Sequence, residues 1–153
     1  MAEDLPFDDD SVDAAMAMVT VHGDALDRLW LADYVPELIA TERRRFPAVD
    51  RICAVLGGAI TVTPVPVPAD CADGFAEAFY GRPERFLDPA VRRCQSVWSF
   101  VDDTVTDRAL TRLRSDLASG AWDRRYGTLR RQPTFVGALR LITALPVDDT
   151  SPR

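Results

Sequence analysis

The sequence predicts an α/β domain, a small sheet flanked by helices, on three observations. An almost continuously apolar run, Asp13 to Val21, has the character of a strand buried on both faces, where polar alternation is not needed. A second apolar run from Phe135 to Leu145, interrupted by Arg140 alone, suits a strand inside the sheet. Between them, apolar residues recur at helical spacing and are bounded by proline, aspartate and glycine at positions that start and stop helices.

Taken in order, the Asp8 to Ser11 cluster is a turn leading into the first strand. After Gly23, Leu26, Leu29 and Trp30 share a helical face, and Pro36 opens a second helical piece carrying Leu38 and Ile39. Val49, Ile52, Cys53 and Leu56 form the next stripe. It is closed by Gly57 and Gly58, where a left-handed cap needs a residue without Cβ. Ile60 and Val62 alternate with Thr61 and Thr63, and Pro64, Pro66 and Pro68 confine this strand, Ala59 to Val67, to an edge because proline donates nothing to a ladder. Asp88 and Pro89 are an N-cap and first-turn pair ahead of a helical stripe of Val91, Cys94, Trp98 and Val101. Thr104 with Asp107 has the form of a capping box for a helix carrying Leu110, Leu113 and Leu117 and ending at Gly120. Residues 1–147 read as one domain and 148–153 as a flexible tail.

Composition excludes several classes. With 153 residues, 47% apolar and 27% charged, the chain can bury a core and is not a disordered tail. A formal charge of −6 opposes a phosphate-backbone partner, so no nucleic acid is expected. The triplet Arg43, Arg44, Arg45 is the only dense basic spot and suits the C-terminal end of a helix. The longest apolar stretch falls well short of the roughly 20 residues that span a bilayer, so no membrane is expected. Cys53, Cys71 and Cys94 are odd in number, follow no metal spacing and point to the reducing cytoplasm.

Several segments carry a family resemblance. The opening Ala2, Glu3 and "LPFDDDSVDAAMAMVTVH" resembles the A-E-x-LPF-x-D-x-S-F-D segment of class I S-adenosylmethionine-dependent methyltransferases, and "VPADCADGF", "GRPERFLDPAVRRC" and "LASGAWDRRYG" resemble the C-terminal half of a bacterial branch of them. The resemblance implies a truncated Rossmann-like methyltransferase fold, with a small mixed sheet whose last strand enters antiparallel between the other two. It implies S-adenosylmethionine as cofactor, with Ala2 and Glu3 bordering the adenine, Leu5 and Phe7 on its apolar flank, and His22 where the reactive methyl group would lie. Two departures accompany it. The family's glycine-rich cofactor loop would lie before Met1, and the eight glycines here include no G-x-G-x-G. The helix and fifth strand that usually follow the "VH" are also missing, because "VHGDALDRLW" passes directly into the next segment, which leaves an unfilled slot in the sheet.

Each candidate site residue has two readings. His22 is either a general base, since imidazole titrates near pKa 6.5, or a strand-end histidine with one hydrogen bond. Trp30, Tyr34 and Tyr80 either line an apolar substrate pocket, with Arg82 beside Tyr80, or pack in the core; for Trp30 and Trp98 the helical stripes favour the core. Asp8, Asp9, Asp10 and Asp13 lack the glycine and distant glutamate of a calcium loop and read as a solvated turn, so no metal is expected. Two functions stand. One is methyl transfer to a small molecule, weak or absent in this chain alone. The other is a non-catalytic remnant that binds a small ligand or a protein. Loss of sheet strands exposes an edge, and a homo-oligomer, in the simplest case a dimer, is expected.

Overall fold

A computed structural model describes residues 15–20, 25–46 and 48–145. Strand β1 (Ala15–Thr20) is followed by two single 3-10 turns, Leu26–Arg28 and Trp30–Asp33, and by helices α1 (Pro36–Arg45) and α2 (Val49–Leu56). Strands β2 (Ala59–Pro64) and β3 (Val67–Pro68) come next. A stretch of short helical pieces includes α3 (Pro89–Arg93), and α4 (Asp103–Ala118) and α5 (Ala121–Tyr126) lead to β4 (Thr134–Phe135) and β5 (Leu139–Leu145).

The three-stranded sheet has the order β1-β5-β2, so the last strand does lie between the other two and is antiparallel to both. The sheet was expected to be mixed, but both of its pairings are antiparallel: β1 and β2 run the same way and are separated by β5, so no parallel pair forms. Proline explains the placement of β2: Pro64 sits at its end and pairs in register with Arg140 at the sheet's edge. The unfilled slot does not exist between these strands. β1 pairs directly with β5 from Ala15↔Ala144 to Thr20↔Leu139, so an antiparallel neighbour takes the place a parallel strand would need a long crossover to reach.

Four sequence expectations change in detail. The strand expected over Phe135 to Leu145 is two strands, because the N–H of Ala138 is taken by the Glu77 side chain instead of a ladder partner. The strand expected over Ala59 to Val67 likewise breaks, and its end, β3, pairs with β4 in a separate ladder. The helix expected from Asp88 to Val101 stops at Arg93, because Gln95 is extended (φ −117, ψ 103), and resumes as a 3-10 turn over Ser96–Phe100. The capping box at Thr104 is replaced by Asp102, whose carboxylate accepts the Thr104 N–H at 2.8 Å. The Asp88 cap with Pro89 at the first helical position is present as expected, and so is the glycine stop of α2, where Gly57 has φ +65.

The core is largely helical. Trp30, Tyr34, Phe86, Trp98 and Trp122 pack with Leu38, Leu113 and Ala138 into one cluster, and Trp30 meets Tyr34, Phe86 and Trp122 edge-on at 5.4–5.6 Å. Among the described residues no helix is long and apolar enough to cross a membrane.

Candidate functional site

A cavity of about 280 Å³ opens between α1, the turns before it, and two loops on the opposite wall. Helix α1 supplies Leu38, Ile39 and Glu42, with Phe46 just beyond its end; these positions fall on one helical face. The helix stops there because Pro47 forces the preceding residue out of the α region, and Phe46 is extended (φ −101, ψ 137). Leu26 and Leu29, on the turns before α1, continue the apolar wall. The facing wall comes from the 73–77 segment and from the 94–97 segment where α3 breaks.

Three polar groups at these walls are distinctive. Glu77 is 8% exposed, and its Oε1 accepts the Ala138 N–H at 2.6 Å. Burial pushes its carboxyl above the ordinary glutamate range, opposed by the backbone N–H groups of Ala138 and Leu139 and by Arg140. Glu42 is also raised by burial, with Arg45 acting in the opposite direction. Gln95 is 7% exposed; its Oε1 accepts the Trp98 indole N–H at 3.2 Å, while its Nε2 is buried with no acceptor among the described residues. The Trp98 bond fixes which end of the amide faces which neighbour. Such a site combines apolar walls with a few convergent polar groups, the usual make-up of a small-molecule pocket.

The candidate residues from the sequence do not meet in this cavity. Ala2, Glu3, Leu5, Phe7 and His22 lie outside the described residues, as do Asp8, Asp9, Asp10 and Asp13. Trp30 is 2% exposed and donates its indole N–H to the Tyr80 carbonyl at 2.9 Å. Tyr34 is buried and donates its hydroxyl to Asp116 at 2.7 Å; burial first, then that hydrogen bond, raises its pKa. Tyr80, 1% exposed, donates to the Gln132 carbonyl at 2.6 Å and stacks on Phe135 at 5.2 Å. Arg82 donates to the Cys71 and Ala78 carbonyls at 2.8 and 2.7 Å and lies over Phe79. Instead of lining a pocket, Trp30, Tyr34 and Tyr80 pack in the core with their polar atoms satisfied internally, and Arg82 ties a loop to a turn. Glu42, Glu77 and Gln95 were not singled out in the sequence. The signal lay in Glu42 on the apolar face Leu38–Ile39–Phe46 and in Glu77 within the apolar run "FAEAF".

Among the described residues no group of three or more His, Cys, Asp or Glu could hold a metal ion. Nor do the described residues include a glycine-rich strand-to-helix turn of the kind that holds S-adenosylmethionine. Their positive-φ glycines, Gly57, Gly58 and Gly120, join a helix to a strand or a helix to a helix, and none turns from a strand into a helix as a glycine-rich cofactor loop does.

The fold is methyltransferase-like. It is similar to the crystal structure of a protein assigned as a methyltransferase from an antibiotic biosynthesis pathway of Anabaena variabilis ATCC 29413, with a TM-score of 0.77 and 25% sequence identity. The similarity covers 86% of this chain and 54% of that one, so the chain spans about half the length of its structural relative. No family model and no curated protein matches the sequence.

Proposed function

We propose that the chain is the acceptor-side portion of an S-adenosylmethionine-dependent methyltransferase that acts on a small molecule, and that residues 1–153 alone are weak or inactive in transfer. The observation that supports this reading is the structural likeness to a methyltransferase over 86% of the chain, with a small-molecule cavity on the helical side of the fold. By the family resemblance, Ala2, Glu3, Leu5 and Phe7 border the cofactor and His22 stands near the methyl group. Transfer needs the reacting atoms held in line at about 3 to 3.5 Å, and the glycine-rich turn that holds the methyl donor in the family has no counterpart among the described residues. The three cysteines are free thiols, which suits the cytoplasm of a bacterium.

Calorimetry with S-adenosylmethionine and its demethylated product tests the proposal. The expected result is weak binding, with Kd on the order of 1 mM, about −4 kcal/mol, weakened further by Glu3→Ala. Micromolar binding would contradict the weak-alone part and point to a complete cofactor site within these residues. No heat at about 10 mM ligand would remove cofactor use from this chain.

A further inference from the structure

The charge of the cavity narrows its ligand. Glu42, Asp73 and Glu77 line it, and none of the arginines among the described residues does. A carboxylate moved out of water demands a donor or an opposite charge. Glu77 finds one in the Ala138 N–H, whereas the Glu42 carboxylate accepts no hydrogen bond from the described residues and has only Arg45 acting through space. Gln95 is independent of this acidic side. Its Nε2 is a buried donor without a partner, an arrangement that costs about 1–3 kcal/mol until an acceptor meets it. The remaining wall, from Leu26, Leu29, Leu38, Ile39 and Val97, is apolar.

We infer that the cavity takes a small, largely apolar amine, its nitrogen held by Glu42 and Glu77, and that the Gln95 side chain, whose Nε2 is covered in this structure, turns to donate to an oxygen on the same molecule. Anions are excluded by the three carboxylates. A cavity of about 280 Å³ stands just below the roughly 300–1,000 Å³ of drug-sized sites, which suits a single-ring compound. Burial raises the pKa of both glutamates, and an ammonium group beside them would draw it back down. The inference rests on the methyltransferase reading only in making this amine the methyl acceptor.

Three probes share a ring and a phenolic oxygen and differ in the head group alone: tyramine, tyrosol and 4-hydroxyphenylacetate. Each is titrated into the full chain by ligand-observed NMR with no S-adenosylmethionine present. Tyramine is expected to bind about tenfold tighter than tyrosol, the difference a charge-assisted hydrogen bond makes, and 4-hydroxyphenylacetate is expected not to bind. Glu42→Gln, whose folding is checked by circular dichroism, should bring tyramine down to the tyrosol level. 2-Phenylethylamine, which lacks the oxygen, should bind a few-fold more weakly than tyramine; equal binding would overturn the Gln95 contact. The amine assignment is overturned if tyrosol matches tyramine, if the acid binds best, if Glu42→Gln keeps the tenfold preference, or if nothing binds at about 10 mM. Because the cofactor is absent, an amine preference that survives alongside a failed S-adenosylmethionine titration would overturn only the methyltransferase reading, and the reverse pair of results only the amine.

Discussion

At Gly137, one missing side chain allows the cavity wall to be tied to the sheet. A Cβ added there would run into the Glu77 carboxylate, so only glycine lets that carboxylate reach the Ala138 N–H. The contact is a buried charge-assisted bond between positions 61 residues apart. Removing the acceptor with Glu77→Ala should cost about 1–3 kcal/mol, because the Ala138 N–H is left unpaired. Gly137→Ala should cost a similar ~1–3 kcal/mol by overpacking. Combined, the two should cost less than their sum by about 0.5–3 kcal/mol, since the clash disappears with the carboxylate. Urea melts of the four proteins measure this; strict additivity would show that the two residues do not touch. The pair was illegible in the sequence, where Gly137 lies inside an apolar run and Glu77 in another, and their meeting depends on packing between distant segments. The aromatic residues carried two readings for a related reason. Trp30, Tyr34 and Tyr80 look the same in sequence whether they line a pocket or fill a core, and only the partners of their polar atoms, Tyr80 O, Asp116 and Gln132 O, separate the two.

Among the elements, boundaries set by local chemistry were legible. Asp88 with Pro89, Gly57 after α2 and Pro64 at the end of β2 act on their own neighbours, and each falls where the sequence places it. Breaks imposed from a distance were not. Gln95 interrupts a stripe of regular spacing while its side chain accepts from Trp98, and Ala138 leaves the ladder for Glu77. Strand β1 has a further consequence. Among the described residues it has β5 on one side only, whereas the other edge strand, β2, is blunted by Pro64. An open edge recruits a partner strand, and we propose a homodimer. Light scattering should give a mass near twice 16.9 kDa; a single-chain mass at every concentration would show that the edge needs no partner.

For the whole molecule, the methyltransferase likeness was legible in segment signatures, and the position of the last strand followed from the apolar run around Ile142, which is fully buried. The cavity was not, because its walls are assembled from α1, the 73–77 segment and the 94–97 segment, which no local pattern joins. We propose separate seats for the two ligands in this methyltransferase-like fold: the amine between α1 and the loops and, by the family resemblance, S-adenosylmethionine beside Ala2, Glu3, Leu5 and Phe7. Saturation-transfer NMR on a single sample containing tyramine and S-adenosylmethionine tests that division most directly. The predicted result is saturation of both ligands, with the tyramine signal unchanged as S-adenosylmethionine is raised. Displacement of tyramine by S-adenosylmethionine would make the cavity the cofactor's own site and contradict the division.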